Sequence, residues 1–190
     1  HQVQYDPKIP LETVKKDIGS WEGIIINSKI IMDDEMMDRA KCLRFIGRLG
    51  SGLDIIDLQE ANARNITVLR APEGNRNAVA EHSLGMLLAL LNHLCRADRQ
   101  LRQMRWEREL NRGRELAGST VGIIGYGNNG KLFTEKLSGM DVDILVYDKY
   151  KKEFETDEIE EVELEELQRR SDIISLHIPL TDDTRQFVND

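Results

Sequence analysis

The sequence predicts an α/β protein with parallel sheets, built as two units. Three observations carry this. Short apolar, β-branched runs recur along the chain, and patterns of helical period fill the gaps between them. The runs are continuously apolar rather than alternating, which is how strands covered on both faces read. The alternation of strand and helix then breaks once, after Pro72-Glu73-Gly74, where one long helical pattern runs on and no strand follows until Thr120.

Taken in order, strands are expected at residues 23–27 (GIIIN), 43–47 (LRFIG), 66–69 (ITVL), 120–124, 142–147 and 172–177. Helices are expected at 11–18, 33–41, 54–64, 77–105, 128–138 and 164–170. Strand–helix–strand order implies right-handed crossovers. A helix as long as 77–105 suits a bridge better than a crossover, so the reading places 1–75 in one domain, 76–105 in a linking helix and 106–190 in a second domain. The acidic stretch 153–166 is expected to be solvated surface, ending in a helix whose Leu164 and Leu167 face inward.

Composition narrows the function. The 190 residues are 40% hydrophobic, with a net charge of −8, which argues against nucleic acid as a general partner. No apolar run reaches the length of a membrane span, and LGMLLALLNHL (84–94) reads as a buried helix. Cys42 and Cys95 are too few for a disulfide framework and lack metal-ligand spacing. They are expected to be reduced, structural residues among apolar neighbours, as suits a cytoplasmic protein.

The chemistry concentrates in VGIIGYGNNG, residues 121–130. A strand is expected to end at Ile124 and a helix to begin at Asn128. Between them Gly125 permits a tight turn, Gly127 lets the backbone approach a pyrophosphate, and Gly130 lets helix and strand lie close. Tyr126, Asn128 and Asn129 complete the loop, and free N–H groups at the helix start face the phosphates. Asn129 stands where an apolar residue ordinarily packs, so its amide needs a partner. Eighteen residues past Gly130, at the end of DILVYD, Asp148 is placed to accept both adenosine-ribose hydroxyls of NAD and to repel the 2′-phosphate of NADP. Lys149, Lys151 and Lys152 follow, leaving NADP open, although a solvated turn is the preferred reading of them.

Three longer segments resemble the D-isomer-specific 2-hydroxyacid dehydrogenases: GRLGSGLDIIDLQEANARNITVLRAPEGNRNAVAEHSLGMLLALL (47–91), ELAGSTVGIIGYGNNGKLFTEKL (115–137) and SDIISLHIPLTDDTRQFVN (171–189). The resemblance covers nearly the full length. It implies part of a flavodoxin-like substrate domain followed by part of a Rossmann-type NAD-binding domain. It implies NAD as cofactor, a small 2-keto or 2-hydroxy acid as substrate, and hydride transfer at a CH–OH group. Gly50-Ser51-Gly52 reads as an anion nest or as a simple turn with a helix cap. The resemblance implies that Ser51 and Gly52 cradle the substrate carboxylate. Asn27 and Ser28 stand where some members place an Arg-Ser pair, and Asn27 departs from that arginine, so the likeness does not extend to a phosphorylated substrate. His177 and Pro179, in LHIPLT, resemble a strand end that borders the cofactor. His177 is read as a cofactor-side or packing residue rather than the proton-transfer group. His82 is read as a helix residue at a domain interface.

The resemblance further implies that the arginine, glutamate and histidine of the chemistry lie beyond Asp190. The chain then reads as an internal portion of a longer dehydrogenase, inert alone, with three clear strands after residue 119. The arginines at 96, 99, 102, 105 and 108 form a near-helical stripe. Asp98, Glu107 and Glu109 interleave, so a nucleic-acid reading is set aside, and the resemblance implies a homodimer through the linking helix and the loop after it. Two other readings stay open: a non-catalytic, NAD-sensing, corepressor-like dimer, and a binding module for another nucleotide, which Asp148 disfavours.

Overall fold

Strands β1 (Gly23–Ile26), β2 (Phe45–Arg48) and β3 (Thr67–Arg70) lie side by side in that order, all parallel, with Ile26, Arg48 and Arg70 in one cross-strand row. They form the first of two units in the computed structural model, which describes residues 2–189 and divides between Asn75 and Arg76. Helices α1 (Leu11–Asp17), α2 (Asp34–Arg39) and α3 (Leu58–Ala63) deliver Val14, Met36, Met37 and Ala61 into one core with Ile24, Ile26 and Ile46. Full burial of each large side chain contributes about 1.5–3 kcal/mol.

The other face of this sheet is open, with Ile25 66% and Leu69 56% exposed. Among the described residues, then, these strands are covered on one face rather than on both as expected. Strands laid down in one direction with right-handed crossovers put every connecting helix on the same side. Helix α3 also opens later than expected, at Leu58 rather than Asp54. Asp57 is its cap, accepting from the N–H groups of Gln59 and Glu60 at 3.0 Å. The residues before it make a turn whose Ile56 bridges to Met32. Asp33 caps α2 in the same way, accepting from Met36 N–H at 2.9 Å.

In the second unit β4 (Thr120–Ile124), β5 (Asp143–Tyr147), β6 (Glu160–Glu161) and β7 (Ile173–Leu176) are parallel in the order β6-β5-β4-β7. Helices α4 (Arg76–Leu91), α6 (Asn128–Leu137) and α7 (Leu164–Arg170) pack on it, and α5 (Leu94–Arg102) continues from α4 without a buried residue. Ala80 and Leu87 of α4 and Phe133 and Leu137 of α6 pack on Val121, Ile123, Ile144 and Val146. Leu167 of α7 packs on Ile124 and Leu145 from the opposite side. In β4 and β5 the continuous apolar runs do mark strands covered twice, whereas Ile174 and Leu176 of β7 stay more than 40% exposed; Leu164 and Leu167 do turn inward.

Four further expectations need correction. The helix expected over 77–105 is two helices bent by 62° and ends at Arg102. His93 between them adopts a left-handed conformation (φ 53°), which histidine and asparagine tolerate better than most residues. Leu91 O, freed by the break, accepts from Arg114 N–H at 3.1 Å. Arg105 and Arg108 thus lie beyond the helix, and the arginine stripe stops at Arg102. Nor is 84–94 a buried helix, since Met86, Leu90 and Leu94 are all more than half exposed. Both cysteines are free but exposed rather than packed in a core. Finally, four strands follow residue 119 among the described residues, where three are expected. The acidic stretch is solvated as expected but also holds β6, beside buried Val162 and bound by Arg170, which donates to both Glu160 carboxylate oxygens at 2.6 Å.

Candidate cofactor site

The loop after β4 lies between β4 and β7, where the strand order reverses; crevices at such points are where open α/β sheets bind ligands. Gly125 has a positive φ of 96°, and a Cβ there would sit 2.7 Å from His177 O, just past β7. A Cβ on Gly130 would fall 2.0 Å from Gly125 O. Both glycines are therefore required by close backbone approach. Gly127 differs: a Cβ there would meet nothing within 4 Å. The first helical bond of α6 runs from Lys131 N–H to Gly127 O at 3.0 Å, and no side chain caps the helix. The N–H groups of residues 127–130 are thus left without helical acceptors; space is open at Gly127, while Gly130 is buried against Gly125. A diphosphate fits that cradle, and the helix dipole favours its charge.

Asp148 follows β5 directly and is only 9% exposed. Its Oδ2 accepts from Tyr126 N–H at 2.7 Å, and its Oδ1 from the N–H groups of Tyr150 and Lys151 at 2.9 Å each. Burial pushes the carboxyl up, but the three N–H donors and the Lys151 charge outweigh it and hold Asp148 below the usual carboxylate range. Of roughly four acceptor positions on a carboxylate, three are filled. The one left, on Oδ2, is room for one further donor, where two ribose hydroxyls are expected from the sequence. A 2′-phosphate at the same place would meet a charge that cannot swing away.

Around this pair the other loop residues sort by role. The buried ring of Tyr126 packs on Phe154 (centroids 4.6 Å apart), so only its backbone belongs to the loop surface. Asn128 is exposed. Asn129 is half-buried and has no side-chain partner among the described residues. Lys149 pairs with Asp183 at 3.0 Å, and Lys152 with Glu163 at 3.3 Å. His177 leans on Phe133, with Nε2 2.9 Å from Ser175 Oγ, and burial lowers its pKa. Pro179 is exposed, its carbonyl accepting from Thr184 Oγ1 at 2.6 Å.

In the first unit Asn27 and Ser28 follow β1, and Ser51 and Gly52 follow β2, all at the carboxyl end of the sheet. Asn27 Oδ1 accepts from Lys29 N–H at 2.9 Å. A Cβ on Gly52 would lie 2.6 Å from Asp54 Oδ1, so a carboxylate already stands against this loop. Arg70 reaches Ser51 O at 3.5 Å. His82 is an exposed residue of α4.

Sequence reasoning misses Lys151 and Phe154 as partners of the glycine loop. Lys151 Nζ donates to Tyr126 O at 2.9 Å. The run of lysines after Asp148 is visible in the sequence, but not which one turns back.

The family model for the D-isomer specific 2-hydroxyacid dehydrogenase NAD binding domain matches residues 84–190. A hydroxypyruvate reductase from Thermotoga maritima is 35% identical over 94% of this chain, and a D-3-phosphoglycerate dehydrogenase from Archaeoglobus fulgidus 33% identical over 96%. The chain spans 58% of the first relative's length and 35% of the second's. Among solved structures, an NAD-dependent formate dehydrogenase from Staphylococcus aureus in complex with NAD superposes with a TM-score of 0.84 at 30% identity, covering 94% of this chain and 55% of its own. With a glycine cradle and a fixed acid that fit the cofactor of that match, this chain belongs to the D-isomer-specific 2-hydroxyacid dehydrogenase family and carries its NAD-binding domain.

Proposed function

We propose that the whole protein is an NAD-dependent oxidoreductase acting on the CH–OH group of a D-2-hydroxy acid, or on the matching 2-keto acid in reverse. The observation that carries this is the 2.7 Å bond from Tyr126 N–H to Asp148, which joins the phosphate loop and the ribose acceptor into one built site. NAD, when bound, supplies the hydride chemistry. The chain's own residues hold it: the N–H groups of 127–129 take the diphosphate, Asp148 a ribose hydroxyl, and His177 and Pro179 border the cleft.

Ser51 and Gly52 are proposed to take the substrate carboxylate, with Asn27 and Ser28 beside it. Asn27 is uncharged and already accepts from Lys29 N–H, which favours an unphosphorylated acid. The relatives named for hydroxypyruvate and for 3-phosphoglycerate bracket the choice. The arginine, glutamate and histidine that orient the acid and exchange its proton are proposed to lie beyond Asp190. Residues 1–75 then serve the substrate, 76–105 link, and 106–190 hold the cofactor. The exposed Met86, Leu90, Leu94, Leu101 and Trp106 support a homodimer through α4, α5 and the following loop, and the two free thiols suit the cytoplasm.

The test is to offer the full-length protein NADH with hydroxypyruvate, phosphohydroxypyruvate and pyruvate, and to assign the chirality of the product. A D-2-hydroxy acid formed with NADH oxidation is expected. NADH binding with no turnover on any acid would instead favour the NAD-sensing role. Sedimentation of a Trp106→Glu variant checks the dimer, which should shift towards monomer.

A further inference from the structure

We propose that Lys151 is a positioning residue for the cofactor: its ammonium fixes the Tyr126–Gly127 peptide so that the Gly127 N–H faces the diphosphate. The proposal rests on the NAD assignment and adds to it a residue outside the glycine motif. Tyr126 is gripped at both ends of its backbone by one short segment. Its N–H goes to Asp148 Oδ2 at 2.7 Å, and its carbonyl accepts from Lys151 Nζ at 2.9 Å. Asp148 and Lys151 are themselves tied, since Lys151 N–H donates to Asp148 Oδ1 at 2.9 Å. The ring of Tyr126 is held by Phe154 from the same segment.

The carbonyl that Lys151 holds and the N–H of Gly127 belong to one peptide. In a trans peptide these two groups point in opposite directions, and rotation of the plane would carry both. Holding the oxygen therefore aims the N–H. Gly127 most needs such help, because it has no side chain, nothing packs within 4 Å of where a Cβ would be, and no residue caps the helix. Of the three lysines after Asp148, the other two are committed elsewhere, Lys149 to Asp183 and Lys152 to Glu163 and Glu161. The Lys151 charge stands one peptide from the phosphate cradle, where a cation adds attraction for a diphosphate and none for an uncharged nucleoside.

Lys151→Met and Lys151→Arg are compared with the wild type by calorimetric titration of NADH and of adenosine. Lys151→Met is expected to weaken NADH about tenfold while adenosine changes less than about twofold, and Lys151→Arg to restore NADH to within about threefold. Unchanged NADH affinity in Lys151→Met overturns the role, as does an equal loss of NADH and adenosine, which would mark a general fold defect. In the nucleotide-free protein, the amide resonance of Gly127 should move in Lys151→Met and return towards its original position in Lys151→Arg. An unmoved resonance overturns the proposal independently of any nucleotide. Absence of NADH binding by the wild type, with the resonance still shifting, overturns the role through failure of the cofactor assignment, and is recognised as that.

Discussion

Gly127 and Gly130 are three residues apart in one motif, yet the structure predicts opposite outcomes when each is changed to alanine. At Gly130 the new Cβ would lie 2.0 Å from Gly125 O and 3.1 Å from Gly125 C, both main-chain atoms. Ordinary carbon–oxygen approach is about 3.3 Å, so α6 and the loop must separate by about 1.3 Å. Overpacking of that severity belongs at the upper end of its range, about 3 kcal/mol. Alanine's helical advantage over glycine returns about 1 kcal/mol. The net loss is about 2 kcal/mol, a fall in Tm of about 8 °C for a unit of this size.

At Gly127 the backbone (φ −80°, ψ −162°) is open to any residue, and the methyl group meets nothing. Replacing this N-cap glycine by alanine costs about 0.5–1 kcal/mol, and stiffening the unfolded chain offsets it by about 0.4–1 kcal/mol, so Tm should stay within about 2 °C. The same methyl occupies the space through which a diphosphate reaches the N–H groups. NADH affinity should fall at least about tenfold, which is about 1.4 kcal/mol. Thermal melting followed by calorimetric titration reads both quantities on both variants. A Gly127→Ala protein that binds NADH as the wild type does would refute the cradle. A Gly130→Ala protein with unchanged Tm would refute the close contact on which the loop geometry rests.

Asp148→Asn leaves the buried Tyr126 N–H facing an amide group, or one of the other two donors unmet. It should lower stability by about 1–3 kcal/mol and raise the ratio of NADPH to NADH affinity, checked by melting and by parallel titrations. His177 has a folded pKa below its ordinary 6.5 because burial opposes the charged ring. Its stability contribution is therefore full above 6.5 and is lost as pH falls below it, since the unfolded chain takes the proton first. Denaturant midpoints at pH 7 and pH 5 should drop less in His177→Gln than in the wild type. Arg64 donates to Asp34 at 2.6 Å and Asp38 at 2.7 Å and also pairs with Glu60, joining α2 to α3. Arg64→Met should destabilise the first unit at low salt, with the difference shrinking as salt rises.

What the sequence makes legible is what short-range pattern determines. The runs that become β4 and β5 are readable because both faces are covered, and the glycine loop is readable because strand, turn and helix follow one another within ten residues. Asp148 is found by its distance from Gly130. Its three N–H donors are not, because the turn that brings the backbone of Tyr150 and Lys151 under Oδ1 has no composition signature. Lys151 and Tyr126 are 25 residues apart, and a lysine followed by another lysine gives no hint of which folds back.

The break at His93 and the strand at Glu160 teach the same lesson from opposite directions. Leu84–Arg102 is rich in helix formers, and Asn92-His93 is only a weak local flaw within it. At the resulting 62° bend, Arg114 N–H, arriving from far along the chain, takes the freed Leu91 O. Glu160-Glu161 has almost no intrinsic strand preference. It becomes β6 because β5 offers a free edge, because Val162 needs burial, and because Arg170, near the end of α7, forks across the Glu160 carboxylate. In both places tertiary partners override local propensity, and those partners lie outside any window in which periodicity is read. The open face of the β1–β2–β3 sheet follows the same rule, since its strands look as apolar as β4 while the direction of chain travel decides which side receives helices.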